Sequence, residues 1–264
     1  MTVEDLGTRH LRFERDGHIA VYTIDRPKAR NALSRAMYFG IKKAVEIVNR
    51  YEAPTALIIT GCDDVFAPGG ELRGREDDAY PELDILTGGD VIPFEAVRQS
   101  RAPVISAVNG ICQGGGLLIA MLSDVAVVSE RATFRAPEIL RGIADTGYAA
   151  YLPGQVGIAM ARDLLVTGRT LDAEEAIACG LVTRKVAHDD LMDSAVEIAE
   201  SILLGAPGAR FQVKRILNAG YGLVDYMTFF DSLGGDECRE GMQAFAEKRS
   251  PNWIPEKLRT GKRL

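Results

Sequence analysis

Pro103-Val104-Ile105-Ser106-Ala107-Val108-Asn109-Gly110-Ile111-Cys112-Gln113-Gly114-Gly115-Gly116-Leu117 joins a short apolar run to a cluster of glycines. Val104–Val108 reads as a buried strand, being brief, rich in β-branched residues and bounded by turn signals. The glycines allow close backbone approach, and a helix opened by them leaves amide N–H groups without intrahelical partners. The dipole of that helix favours negative charge at its start. A second loop of this kind is Phe66-Ala67-Pro68-Gly69-Gly70-Glu71-Leu72. Amides converging from two such loops would make an oxyanion hole. Glycine clusters also mark ordinary tight turns, so composition alone leaves both readings open. Gly114–Gly116 lacks GxGxxG spacing and no GxSxG occurs, which argues against a dinucleotide fingerprint and a serine–histidine hydrolase.

Outward from this stretch, Ala56–Thr60 and Val125–Val128 also read as buried strands. His10–Arg15 and His18–Asp25 alternate around Asp16-Gly17, a hairpin signal. Arg26–Leu33 reads as a loop and Ser34 as the N-cap of a helix whose Met37, Ile41, Ala44, Val45 and Val48 form one buried stripe. Strands alternating with helices predict an α/β fold with a mostly parallel sheet. Asp63–Asp90, rich in Gly, Pro, Asp and Glu, is long enough to read as a functional lid, with Glu71 and Glu76-Asp77-Asp78 on its solvated face. After about Ala149 the pattern becomes helical. Asp172 with Glu175 starts a helix that Gly180 stops, and Val182–Val186 adds a strand. Leu191–Leu204, Gly208–Ala219 and a stretch ending near Lys248 read as helices, whereas Tyr148 and Tyr151 read as packing residues.

Of 264 residues, 31 are basic and 37 acidic, a net charge of −6 that argues against nucleic-acid partners. No apolar run approaches the ~18 residues of a membrane span, and Met1–Arg15 lacks the apolar core of a secretory signal. Cys62, Cys112, Cys179 and Cys238 form no CxxC pair, which fits reduced thiols in a cytoplasmic protein. His10, His18 and His188 lie outside any metal-ligand spacing, so no metal site is expected.

In order along the chain, these motifs resemble the crotonase (enoyl-CoA hydratase/isomerase) superfamily. Arg26-Pro27-Lys28-Ala29-Arg30-Asn31-Ala32-Leu33-Ser34 is similar to its first signature, and Phe66–Leu72 and Pro103–Gly116 to its two oxyanion segments. Thr133-Phe134-Arg135-Ala136-Pro137-Glu138 resembles the segment that carries a catalytic glutamate. Thr167–Val182 resembles the start of the C-terminal part, and Phe245-Ala246-Glu247-Lys248-Arg249 the closing motif. The resemblance implies a ββα spiral over residues 1–200 and a helical trimerisation region over 201–264. A homotrimer or dimer of trimers is the implied assembly. It implies oxyanion donors at Gly70 and Gly115 and Glu138 as the acid–base group. Substrate-binding roles fall to Lys28, Ala29, Arg30, Ala67, Glu71, Leu72, Gly114, Leu118, Pro137, Phe245 and Lys248. The implied ligand is an acyl-CoA thioester, with coenzyme A as part of the substrate and no prosthetic group.

Two positions depart from a hydratase of this family. Leu118 stands where the first of its two glutamates would be, and leucine cannot titrate or hold water. A single Glu138 still suffices for a 1,3-proton shift in a 3-enoyl-CoA, which fits an isomerase or an atypical hydratase. Gly142-Ile143-Ala144-Asp145-Thr146-Gly147, which aligns without a gap from Gly142 or slipped by one from Gly147, also carries an aspartate near where a thioester hydrolase, a dehalogenase, a carnitinyl-CoA dehydratase and a naphthoate synthase of the superfamily have one. Asp145 reads as a second catalytic carboxylate or as an ordinary turn residue before glycine. Hydrolysis, carbon–carbon cleavage and acyl-CoA binding without turnover are the alternatives that remain.

Overall fold

The computed structural model describes residues 2, 3, 6, 8–53, 55–71, 83, 88–220, 222, 224 and 226–254. The chain divides into two compact units, one of residues 1–134 with 171–220, the other of 135–170 with 221–264. Residues up to Gly220 thus group with the first unit, and Arg135–Thr170 with the C-terminal helices.

Among the described residues, the first unit holds a seven-stranded sheet in the order β1 (Thr2–Val3), β2 (Leu11–Asp16), β3 (Ile19–Ile24), β4 (Ala56–Gly61), β6 (Val104–Val108), β8 (Val125–Ser129) and β11 (Arg184–Val186). From β3 onward all neighbours are parallel, with Ile58 beside Ile105 and Ala107 beside Val127. The apolar runs predicted as strands are continuous because both faces are covered. Ala56, Ile58, Ile105, Ala107 and Val127 pack on Leu191, Ala195, Ile198 and Ala199 of α7 (Leu191–Leu203). The β2–β3 hairpin pairs Asp16 with Ile19, so Gly17 and His18 form the turn, one residue later than predicted. Only Gly17 of that pair takes positive φ (56°), the part of the turn that needs glycine.

Ser34 caps α1 (Arg35–Arg50) as predicted: its side chain accepts from the Met37 N–H at 3.2 Å. The whole predicted stripe of α1 is buried. The short helices α2 (Gly88–Val91) and α3 (Phe94–Arg98) precede β6, and α4 (Gly115–Leu122) follows β7 (Ile111–Gln113). α4 is buried throughout from Gly116, as a helix apolar on every side must be. β7 belongs to a second sheet, ordered β10 (Thr170–Asp172), β9 (Thr133–Arg135), β7 and β5 (Val65–Ala67). Asp172 caps α6 (Ala173–Ala178) by accepting from the Glu175 N–H at 2.8 Å. β11 is shorter than predicted because Leu181 and Val182 both donate to the Ala176 carbonyl, closing α6 instead of extending a strand. α8 (Pro207–Ala219) ends this unit.

The second unit comprises α5 (Thr146–Thr167), α9 (Tyr226–Gly234) and α10 (Asp236–Glu247), preceded by a 3-10 turn at Glu138–Arg141. α5 is interrupted at Gly157 (φ 76°, ψ 158°). Tyr148 and Tyr151 are buried in it, as read. Beyond α10, Arg249 pairs both guanidinium branches with Glu240 at 2.6 and 3.0 Å, and Glu240 also accepts from the Asn252 N–H.

Candidate active site

In the first unit, β5 pairs in parallel with β7, Ala67 beside Cys112, so the two glycine loops emerge side by side. Gly70 forms a bridge with Leu33, in which the Gly69 carbonyl accepts from the Leu33 N–H and the Glu71 N–H donates to the Leu33 carbonyl. Alternation along an extended backbone then turns the Gly70 N–H to the opposite side. Gly114 opens α4, and its carbonyl accepts from the Leu118 N–H at 3.2 Å. Gly115 is the first helical residue, so its N–H has no intrahelical acceptor. A carbon built on Gly69 would lie 3.5 Å from the Gly115 nitrogen, which measures how closely the loops meet. Gly116 is held to glycine by packing, since a methyl there would sit 2.7 Å from Ala67 Cβ.

The loops are braced by two side chains that the sequence reading did not single out. Asn31, fully buried, accepts from the Arg26 N–H at 2.9 Å and donates to the Val65 carbonyl at 2.7 Å. Arg26, also buried, makes a two-pronged pair with Glu71 at 2.9 and 3.1 Å and donates to the Ala32 carbonyl. Glu71 therefore departs from the solvated face assigned to it: its side chain is 18% exposed and engaged by Arg26. Spacing could not reveal this, because the partners are 45 residues apart. Lys28 and Ala29 form a 3-10 turn with Pro27, with Lys28 and Arg30 exposed. Ala67 is buried in β5 and Leu118 in α4, where it brings no titratable group. Leu72 and most of the predicted lid, including Glu76, Asp77 and Asp78, lie outside the described residues.

In the second unit, buried Pro137 precedes the turn that presents Glu138. Glu138 is half-buried as a residue, but its Oε2 is enclosed and has no hydrogen-bond partner. Burial, and then the charge of Asp145, push its carboxyl up to about 8; its own backbone amide, Arg141 and Arg135 pull the other way. Asp145 caps α5, accepting from the Gly147 and Tyr148 N–H groups at 2.9 and 3.2 Å. Burial raises its pKa too, and those two bonds restrain the rise. The turn reading of Asp145 is thus realised as a helix cap, while its charge still acts on Glu138. Arg141 lies over the Phe245 ring at 5.1 Å, and both line a cleft with Pro137, Leu140, Arg249 and Pro251. Lys248 is exposed, in the left-handed conformation that ends α10.

All four cysteines are free. Among the described residues, no group of three or more His, Cys, Asp or Glu is placed to hold a metal ion, and no helix is long and apolar enough to cross a membrane.

Comparison with known families matches residues 14–256 to Enoyl-CoA hydratase/isomerase. A carnitinyl-CoA dehydratase of Salmonella enteritidis is 35% identical over 92% of this chain and 97% of its own. A protein of Dictyostelium discoideum, named a probable mitochondrial enoyl-CoA hydratase, is 33% identical over 91% of this chain and 89% of its own. Among solved structures, an enoyl-CoA hydratase/isomerase from Pseudoalteromonas atlantica superposes with a TM-score of 0.81 at 30% identity, covering 93% of this chain and 100% of that one.

Proposed function

The chain belongs to the enoyl-CoA hydratase/isomerase family, and from that premise we propose that it converts an acyl-CoA thioester through its enolate, with Glu138 as the single group that carries the proton. Glu138 is the observation that carries this reading: an enclosed carboxylate oxygen without a partner, with its pKa pushed up to about 8. Acid–base groups work best with a pKa near the operating pH. Buried Leu118 supplies no second carboxylate, which favours a proton shift over addition of water. Ionised Glu138 takes a proton from C2 of a 3-enoyl-CoA, and the electron pair moves onto the thioester oxygen. The Gly70 and Gly115 amides receive that charge. The enolate then collapses, its double bond shifts to C2–C3, and Glu138 returns the proton at C4. Coenzyme A enters as part of the substrate, and the steps need no prosthetic group. A trimer or dimer of trimers is the assembly that accompanies this reading.

Asp145 favours a second reading. Its charge acts on Glu138, and the likeness to carnitinyl-CoA dehydratases points to exchange of water across C2–C3. The discriminating experiment follows the conjugated product from a 3-enoyl-CoA, and separately the turnover of a 3-hydroxyacyl-CoA, in wild type, E138Q and D145N. The isomerase reading expects conjugation that falls about 10²–10⁴-fold in E138Q and survives in D145N. Turnover of the hydroxyacyl thioester alone, lost in D145N, would transfer the assignment to a dehydratase. Retained CoA binding with no turnover of either would make this a binding protein.

A further inference from the structure

Tyr38 sits on α1, and helical spacing does not set it apart from its neighbours. Its ring is half-buried against Ala36, Phe39, Leu83 and Val91. It also meets Phe94 edge-on, with centroids 6.1 Å apart at 78°. That packing fixes where the hydroxyl goes. A carbon built on Gly115 would collide with Tyr38 Oη and lie 2.8 Å from Cζ; one built on Gly70 would lie 3.6 Å from Oη. The hydroxyl therefore rests over the two residues whose amides face outward from the glycine loops.

Gly115 sharpens the point. It is helical and absent from the positive-φ residues, so its backbone does not require glycine. The contact that excludes a side chain there is the Tyr38 hydroxyl.

We propose that the Tyr38 hydroxyl is a third hydrogen-bond donor to the thioester oxygen received by the Gly70 and Gly115 amides. The inference rests on the oxyanion reading above and deepens it by assigning a side-chain donor. A phenol donates readily at neutral pH, and its bond shortens and strengthens as the acceptor becomes anionic. A ring held by Phe94 and the apolar cluster delivers this donor already oriented, the condition under which such groups act on a transition state.

The test uses the CoA thioester of 4-dimethylaminocinnamic acid, whose absorption moves to the red as its carbonyl is polarised, together with steady-state turnover. Y38F keeps the ring and removes the donor. The expected result is a smaller red shift and a kcat lower on the order of 10²-fold, with little change in KM or melting temperature. An unchanged red shift and kcat in Y38F, against a clear shift in wild type, would overturn the role of Tyr38 and leave the amide pair standing. No red shift in wild type would remove the oxyanion site and this inference with it. Should Y38F fail to fold, replacing Tyr38 by 3-fluorotyrosine carries the test: a stronger donor of nearly the same shape deepens the shift, and a shift that does not move rejects the donor.

Discussion

As the proposed base, Glu138 has to hold a proton near neutrality and give it up just above, and the cost of enclosing its charged form sets that balance. Because the base is the ionised form, kcat/KM for proton abstraction should rise with pH through about 8. D145N removes a neighbouring negative charge while asparagine still caps α5, so the rising limb should move to lower pH with the fold intact. A pH–rate profile of the two proteins checks both the position and the direction. The same shift bears on stability. Glu138 binds its proton more tightly in the folded chain than at its ordinary value of 4.5, so its contribution is full below that pH and is lost as pH rises through about 8. E138Q cannot ionise and should therefore melt higher than wild type at pH 9, with the gap closing at acid pH. Equal melting temperatures across that range would show that the carboxylate is solvated. Glu138 was legible because Pro137 and the glycine loops set it in a recognisable order. Tyr38 was not, because period and burial treat it as one more position on the face of α1.

At the scale of elements, the Arg26–Glu71 pair joins the turn before α1 to the end of the first glycine loop. Both side chains are largely buried, at 8% and 18% exposure. R26A strands an enclosed carboxylate and should cost about 3–5 kcal/mol, whereas R26M/E71L should recover much of that loss. Denaturant unfolding of the three proteins measures it, and a single variant as stable as wild type would show the pair to be ornamental. S34A removes the cap of α1 and should cost about 1 kcal/mol. Elements of this kind were readable because the cause is local. Ser34 sits before an apolar stripe, β6 is five consecutive buried residues, and Asp172 sits three residues before Glu175. What escaped the reading is set by distant partners. Glu71 is drawn inward by an arginine 45 residues away, and β11 is trimmed by two amides that bond back to Ala176.

For the whole molecule, the compact units could not be read from sequence order, since the chain leaves the first unit after Phe134 and returns to it at Leu171. The proposed assembly rests on exposed apolar side chains. On α8, Val213, Ile216 and Leu217 recur at helical spacing and are 57%, 67% and 65% exposed. On α9, Met227 is 73% exposed and Phe230 42%. Apolar side chains exposed together along one helix, as on α8, mark contact with another protein, and the occupant that fits the proposed trimer is a second copy of this chain. α8 has no buried residue, so polar substitutions there should leave the fold of each chain undisturbed. V213D/I216D is therefore expected to keep its circular dichroism while its light-scattering mass falls from a multiple of 28.6 kDa toward the single chain. A wild-type chain that stays monomeric at micromolar concentration, with the double variant indistinguishable from it, would leave these side chains to some other partner and sink the trimer.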